Sequence, residues 1–374
     1  MKSFATFVLV LSLLSFVGCK DADDTTIPSG PDDPVNSGVA ADGTLPVFTL
    51  DTSEYPSWST FVVAGNAGIV NPEEGGDYGP LEEKWQVDVV IQAKDYDPCL
   101  MEFSNGSCDA ACLTVIDSLN PAMGRASTGI LPTSNSVGSD KVITIGEVDL
   151  EGLKSVPTHG LEKSVSHFSW YRELQAQGAN PAEYEYLNLD PGAAAMALQN
   201  GSGEVNAICV WHPFALQTLA KAPNAQTCFD SSLIPLEIID QVVIGNDSLA
   251  KPGGKAFAAC LCDIYYTVCA NLWSTDQAIQ DTTRLALKED FAPEFTLEDM
   301  EIILTDSLFY KTSDEGIALF NNPEFRSITE GIVIETCQAI GILETGVQPT
   351  IGYGDDVKQL TFTTEYMEEA SAAK

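Results

Sequence analysis

Hydrophobic and polar residues alternate with period two over "LPVFTLDT" (45–52), which predicts a strand. "VDVVIQ" (87–92) is apolar enough for a buried strand, and "RASTGILPT" (125–133) and "KVITI" (141–145) are further strand-like runs. "SCDAACLTVIDSLNPAM" reads as a short strand running into a helix. After the extended piece "SVPTHG", helical periodicity covers 163–177, with Gly178 as the stop. "YEYLNL" (184–189) predicts a strand, and "PGAAAMALQNG" a helix with proline at its start and glycine past its end. "NAICVW" (206–211) is again strand-like, and "PFALQTLAKA" starts a helix at Pro213. Strand and helix alternating in this way predict an α/β fold with mostly parallel sheets. Beyond "DQVVIGND" (240–247) the pattern becomes mainly helical. "GGKAFAACLCDIYYTVCANLW" reads as a packed core helix containing Asp263, and 280–374 as a series of amphipathic helices.

One stretch resists this reading. In "SWSTFVVAGNAGIV" the valine-rich middle favours a strand by propensity, while Pro56 before Ser57 offers a helix start.

The N-terminus changes the picture of where the protein works. Lys2 precedes "FATFVLVLSLLSFVGC", a short apolar run ending at Gly18-Cys19. It is too short and wrongly flanked for a membrane span. It resembles a bacterial lipoprotein signal, with residues 1–18 removed and Cys19 lipidated; Phe16 stands where leucine is usual. Residues 19–44 are rich in Asp, Pro, Gly and Ser and bury too little to fold, so they read as a flexible tether. The folded part is thereby expected at a membrane surface in the cell envelope, outside the cytoplasm.

The chain has 374 residues, 44% of them hydrophobic, enough for two lobes. Lys and Arg number 18 against 54 Asp and Glu, a formal net charge of -36. That balance speaks against nucleic acid and against direct adhesion to anionic lipid. Apart from Cys19, cysteines stand at 99, 108, 112, 209, 228, 260, 262, 269 and 337. An exported chain is expected to pair them, with Cys99 to Cys108 or Cys112 and Cys209 to Cys228 as local options. The odd number leaves at least one thiol. No paired C-x-x-C spacing calls for zinc, and no cofactor or metal is expected.

"HGLEKSVSHFSWYREL" (159–174) holds two of the three histidines. Ser166-His167 as a catalytic pair is disfavoured, because helix neighbours point about 100° apart and no G-x-S-x-G elbow exists. His167 shares a face with Trp170, Tyr171 and Leu174, which reads as packing. The helix start at Ser164-Val165-Ser166 is more telling, since free N–H groups there favour an anion. Capping by Ser164 is the plainer alternative.

From "HGLEKSVSHFSWYRELQAQGANPAEYEYLNLDP" through "AAAMALQNGSGEVNAICVWHPF", and upstream in "LDTSEYPSWSTFVVAGNAGIVNPE" and "FSNGSCDAA", the chain resembles the periplasmic substrate-binding proteins of the nitrate, sulfonate, taurine and bicarbonate ABC importers. The likeness spans about residues 45–275. It implies a helix over 57–68. It also implies a type II two-lobed architecture: lobe 1 from 45–138 and 245–374, lobe 2 from 139–244. The chain would cross near Val137-Gly138-Ser139-Asp140 and return near Val243-Ile244-Gly245. The pocket would then be formed by Tyr55, Trp58, Ser59, Thr114, Ser136, Asp140, Ser164, Val165, Ser166 and Trp211. Trp58 and Trp211, taken singly, read as core. Lys163-Ser164 stands where the family usually has Gly-Ser. The implied function is capture of a small anion or zwitterion for an importer permease, without catalysis. The alternatives are a pyrimidine-precursor binding protein or enzyme on the same fold, or a sensor for a membrane receptor. If Asp140 faces the pocket it suits an ammonium or amide group.

Overall fold

The computed structural model describes residues 43–201 and 203–373, together with Val39. The signal segment, Cys19 and most of the tether lie outside the described residues.

Among the described residues, thirteen strands form two sheets. In chain order they are β1 (Val47–Thr52), β2 (Asp88–Ala93), β3 (Ala110–Thr114), β4 (Ser127–Ser136), β5 (Lys141–Ile145), β6 (Thr158–Gly160) and β7 (Tyr186–Asn188). They continue with β8 (Ala207–Val210), β9 (Ala225–Asp230), β10 (Ile239–Gly245), β11 (Ser307–Phe309), β12 (Ile351–Tyr353) and β13 (Leu360–Phe362). The larger sheet has the order β12-β13-β4-β10-β3-β1-β2, with β11 also on β4. The smaller has the order β7-β6-β8-β5-β9. Parallel pairs dominate the outer parts of the larger sheet. β10 runs antiparallel between β3 and β4, and β5 runs antiparallel between β8 and β9.

Side-chain alternation builds the smaller lobe in three layers. Val142 and Cys209 face one side of the sheet, with Trp170 and Leu174 from the helix Val165–Ala176. Ile143, Ile208 and Val210 face the other, with Ala194 and Leu198 from the helix Pro191–Asn200. That helix ends as its sequence predicts, with Gly201 at φ 61. The larger lobe is organised by the helix Gly254–Leu272, which is buried in the core along most of its length. Its Asp263 is held by Lys84 Nζ at 2.6 Å and Trp85 Nε1 at 2.9 Å. Val165, Phe168 and Trp211 of the smaller lobe pack into the same apolar cluster as the larger lobe. The two lobes are therefore closed on each other.

Two segments cross between the sheets. The first, Val137 to Asp140, leaves β4 for β5 as expected, turning at Gly138 with φ 114. The second runs over 231–238, between β9 and β10. The return was expected at Val243-Ile244-Gly245, but those residues already pair with β3 and β4 inside the larger sheet. The buried apolar run of β10 needs a sheet neighbour on both sides, and the larger sheet supplies them.

Other expectations change in detail. The stretch around Phe61 is a helix, Ser59–Asn66, as the resemblance implied and propensity did not. The C-terminal part is mainly helical but contributes β11, β12 and β13 to the larger sheet. Contrary to the expected pairing, none of the nine described cysteines is in a disulfide. Cys209 on β8 and Cys228 on β9 have β5 between them, a separation of about 9.5 Å from two strand spacings, beyond disulfide reach. Burial pushes the Cys99 thiol to about 12 and holds Cys108 and Cys112 above the ordinary range. These side chains act as small apolar core residues.

Candidate functional site

Where the lobes meet, the chain encloses a small cavity of about 20 Å³, room for about a single water in this closed form. The larger lobe contributes Ser53, Glu54, Tyr55, Trp58, Tyr96, Thr114 and Asp240. Val165 and Trp211 come from the smaller lobe, and Asp140 and Ile238 from the two crossing segments.

Local sequence explains how each residue arrives there. The loop after β1 turns at Ser53–Pro56, and the Tyr55 carbonyl accepts from the N–H groups of Trp58 and Ser59 to start a helix. Tyr55 and Trp58 are thereby held 4.9 Å apart, ring centre to ring centre. Tyr96 opens the helix Tyr96–Asn105 and stacks on Trp58 at 5.7 Å, with planes 6° apart. Trp211 meets Tyr96 edge-on at 6.2 Å. Four aromatic rings thus run continuously from one lobe to the other. Thr114 ends β3 and caps the helix Val115–Gly124, its Oγ1 accepting from Asp117 N at 3.0 Å.

The carboxylates are buried and under strain from desolvation. Asp140 is 2% exposed. Its Oδ2 accepts from Ser136 Oγ at 2.6 Å, while its Oδ1 is buried without a partner. Burial raises its carboxyl to about 6. Asp240 accepts from Ser134 Oγ at 2.7 Å, and burial holds it well above the usual carboxylate range. Asp117, just behind the wall, accepts from Tyr96 Oη at 2.8 Å and is also raised by burial, to about 6. Trp58 Nε1 is a buried donor without an acceptor.

The structure brings together Tyr55, Trp58, Thr114, Asp140, Val165 and Trp211 from the sequence-derived set. Ser59 is buried at the helix start, where it partly offsets the burial that raises the Asp290 carboxyl. Ser136 sits behind Asp140 and also meets Ser231 Oγ at 2.7 Å. Ser164 caps its helix, accepting from Ser166 N at 3.2 Å and donating to Leu161 O at 2.8 Å. Ser166 is fully buried, with its hydroxyl unpartnered. The backbone N–H of Val165 faces Asp117 of the other lobe and stabilises its charged form. The helix start is thus already supplied with acceptors by the protein's own Ser164 and Asp117. His167 stacks on Tyr186 at 4.4 Å, and burial lowers it to about 4. It is a packing residue, as its helical face predicted.

Tyr96, Glu54, Asp240, Ser53 and Ile238 were not anticipated. Glu54 and Ser53 were legible as neighbours of Tyr55 in the same turn. Asp240 was legible only as a charge at the head of an apolar strand.

Two α/β lobes joined by two crossing segments around an enclosed cavity define the periplasmic-binding-protein fold. Solved structures share it. The aliphatic sulphonate binding protein SsuA of Escherichia coli superposes with a TM-score of 0.61 at 14% identity, covering 80% of this chain and 94% of that one. The sulfonate-binding SsuA of Methylobacillus flagellatus gives 0.62 at 13%, covering 88% and 94%. The nitrate-binding protein NrtA of Synechocystis gives 0.51 at 13%, covering 80% and 90%. At such identities the likeness is one of fold. No family model matches the sequence, and no curated protein does.

Proposed function

We propose that this protein is an extracytoplasmic solute-binding protein that traps a small molecule between its lobes and presents it to the permease of an ABC importer. One observation carries the reading: the cavity is closed by residues of both lobes and of both crossing segments, so occupancy and lobe closure are one event. The buried, unpartnered Asp140 Oδ1 and Trp58 Nε1 in its wall are groups that a ligand would satisfy. Binding without catalysis is favoured by His167, which is committed to packing against Tyr186. The N-terminal signal, with Cys19 as the lipid attachment point, would tether the folded part in the cell envelope.

The wall's charge separates the ligand classes considered from sequence. Nitrate, bicarbonate or a sulfonate would face Asp140, Asp240 and Glu54, and no Lys or Arg lines the cavity. A zwitterion could satisfy the carboxylates through its ammonium end.

The test is small-angle scattering combined with a thermal-shift screen of residues 41–374 against nitrate, bicarbonate, taurine, sulfonates, amines and amides. A ligand that raises the unfolding temperature and compacts the protein supports solute capture. At about 100 times the dissociation constant the stabilisation is about 2.7 kcal/mol. A panel without any effect on either observable removes the proposal.

A further inference from the structure

We propose that the cleft binds a small organic ammonium ion carrying N–H donors, held by Asp140 and Asp240 inside the aromatic run Tyr55, Trp58, Tyr96 and Trp211. This rests on the solute-binding reading and names the ligand class of the same site.

Three observations carry it. The first is the wall itself. Aromatic faces attract cations through their quadrupole, more strongly when water is excluded, and four such rings line one enclosed cavity. The second is the unpartnered Asp140 Oδ1. It is an acceptor in a nearly dry place, and an ammonium N–H is the donor that fits it. Burial penalises the ionised forms of Asp140 and Asp240, and a cation beside them reverses that penalty.

The third observation lies outside the inner cavity. A second, roomier chamber of about 300 Å³ shares Glu54, Tyr96 and Trp211 with the first. Asp95, Asp97 and Asp190 also line it, and it too has no Lys or Arg. The nearby cations are already engaged. Lys141 Nζ is 2.9 Å from Asp306 Oδ2, and Lys94 Nζ lies 3.0 Å from Asp51 Oδ1 and 2.8 Å from Glu102 Oε2. The chambers in series form an acidic path into the cleft, which concentrates cations and repels anions.

The experiment is calorimetric titration at constant ionic strength with propylammonium, 1,4-diaminobutane, tetramethylammonium, propane-1-sulfonate, nitrate and propionamide. The same titrations are run on Asp140→Asn and Asp240→Asn, two separate near-isosteric changes. Binding of propylammonium or the diamine, at least ten-fold tighter than tetramethylammonium and weakened at least ten-fold in either variant that folds, supports the proposal. A preference for tetramethylammonium, or amine binding unaffected in the variants, overturns it. Binding of the sulfonate, nitrate or propionamide without the amines overturns it while leaving solute capture standing. If none of the six binds and scattering shows no compaction with any of them, both readings fall.

Discussion

The Ser136 hydroxyl donates to Asp140 Oδ2 at 2.6 Å and leaves Oδ1 buried with no partner. One oxygen of this carboxylate is thus tied to the end of β4, and the other is left buried in a residue that lines the cleft.

The pH dependence of the ligand-free protein follows. Asp140 and Asp117 rise from an ordinary 3.8 to about 6 on burial, so their folded pKa lies above the unfolded one. Their contribution to stability is fully present below about 4 and is lost as pH rises through about 6. The titratable groups around Asp140 are Asp240, Asp117, Glu173, Tyr55, Tyr186 and Cys209, with Lys141 the one cation among them. Asp240 and Glu173 are raised in the same direction. His167 and His212, lowered by burial, contribute in the opposite direction over the same interval, so the acids are read by difference: Asp140→Asn should shift the change in unfolding temperature between pH 5 and pH 7.5 upward relative to the parent. A pH profile that Asp140→Asn leaves unchanged would contradict the raised Asp140 carboxyl.

Lys163 adopts φ 56 immediately before the capping Ser164 and is exposed. A left-handed conformation costs a non-glycine residue about 1–2 kcal/mol, part of which glycine gives back through its freer unfolded chain. Lys163→Gly should stabilise the protein by about 0.5–1 kcal/mol in urea unfolding, without altering ligand affinity. An affinity change would reveal a role for the lysine in the cleft.

Gly138 takes φ 114 at the first crossing, beside the Asp306 carboxylate. Gly138→Ala should cost about 1–3 kcal/mol, because the left-handed side of conformational space excludes a Cβ. Denaturant titration gives the value. An unchanged midpoint would mean that this turn relaxes freely.

The thiols give a chemical check. Protein from residue 41 onward, alkylated in denaturant without reductant, should gain nine adducts by intact mass. Fewer adducts, restored by prior reduction, would show bridges between elements that the fold holds as separate buried thiols.

Much of the architecture was readable from periodicity. The alternation in "KVITI" splits Val142 and Ile143 to opposite layers, and the proline and glycine around 191–201 mark both helix ends. The helix at Ser59–Asn66 was hidden because Val62 and Val63 favour strands locally, and packing of its buried face overrides that preference. The return crossing was misplaced because the apolar run of β10 shows burial without showing which sheet buries it. Six cavity residues were reached by analogy of position. Tyr96 was not, since "KDYDPC" looks like a polar loop until its tyrosine stacks on a residue 38 positions earlier, Trp58. Serines at 59, 136 and 166 lie beside the cleft elements and not in the cavity wall, because a sequence does not say which way a hydroxyl points.

The two crossing segments are laced together by hydroxyl groups. Ser231 Oγ of the second segment accepts from Gly138 N of the first at 2.9 Å and lies 2.7 Å from Ser136 Oγ at the end of β4, while Ser139 Oγ of the first segment is 3.1 Å from Ser307 Oγ of β11. A hydroxyl both donates and accepts, and its proton swings about a single bond. When the segments bend, these serines can hand their hydrogen bonds from one neighbour to the next without stranding a buried polar atom. Opening would therefore work chiefly against what lies away from the pivot: the apolar seam of Val165, Phe168 and Trp211, and the bonds of Lys141 and His212 to Asp306.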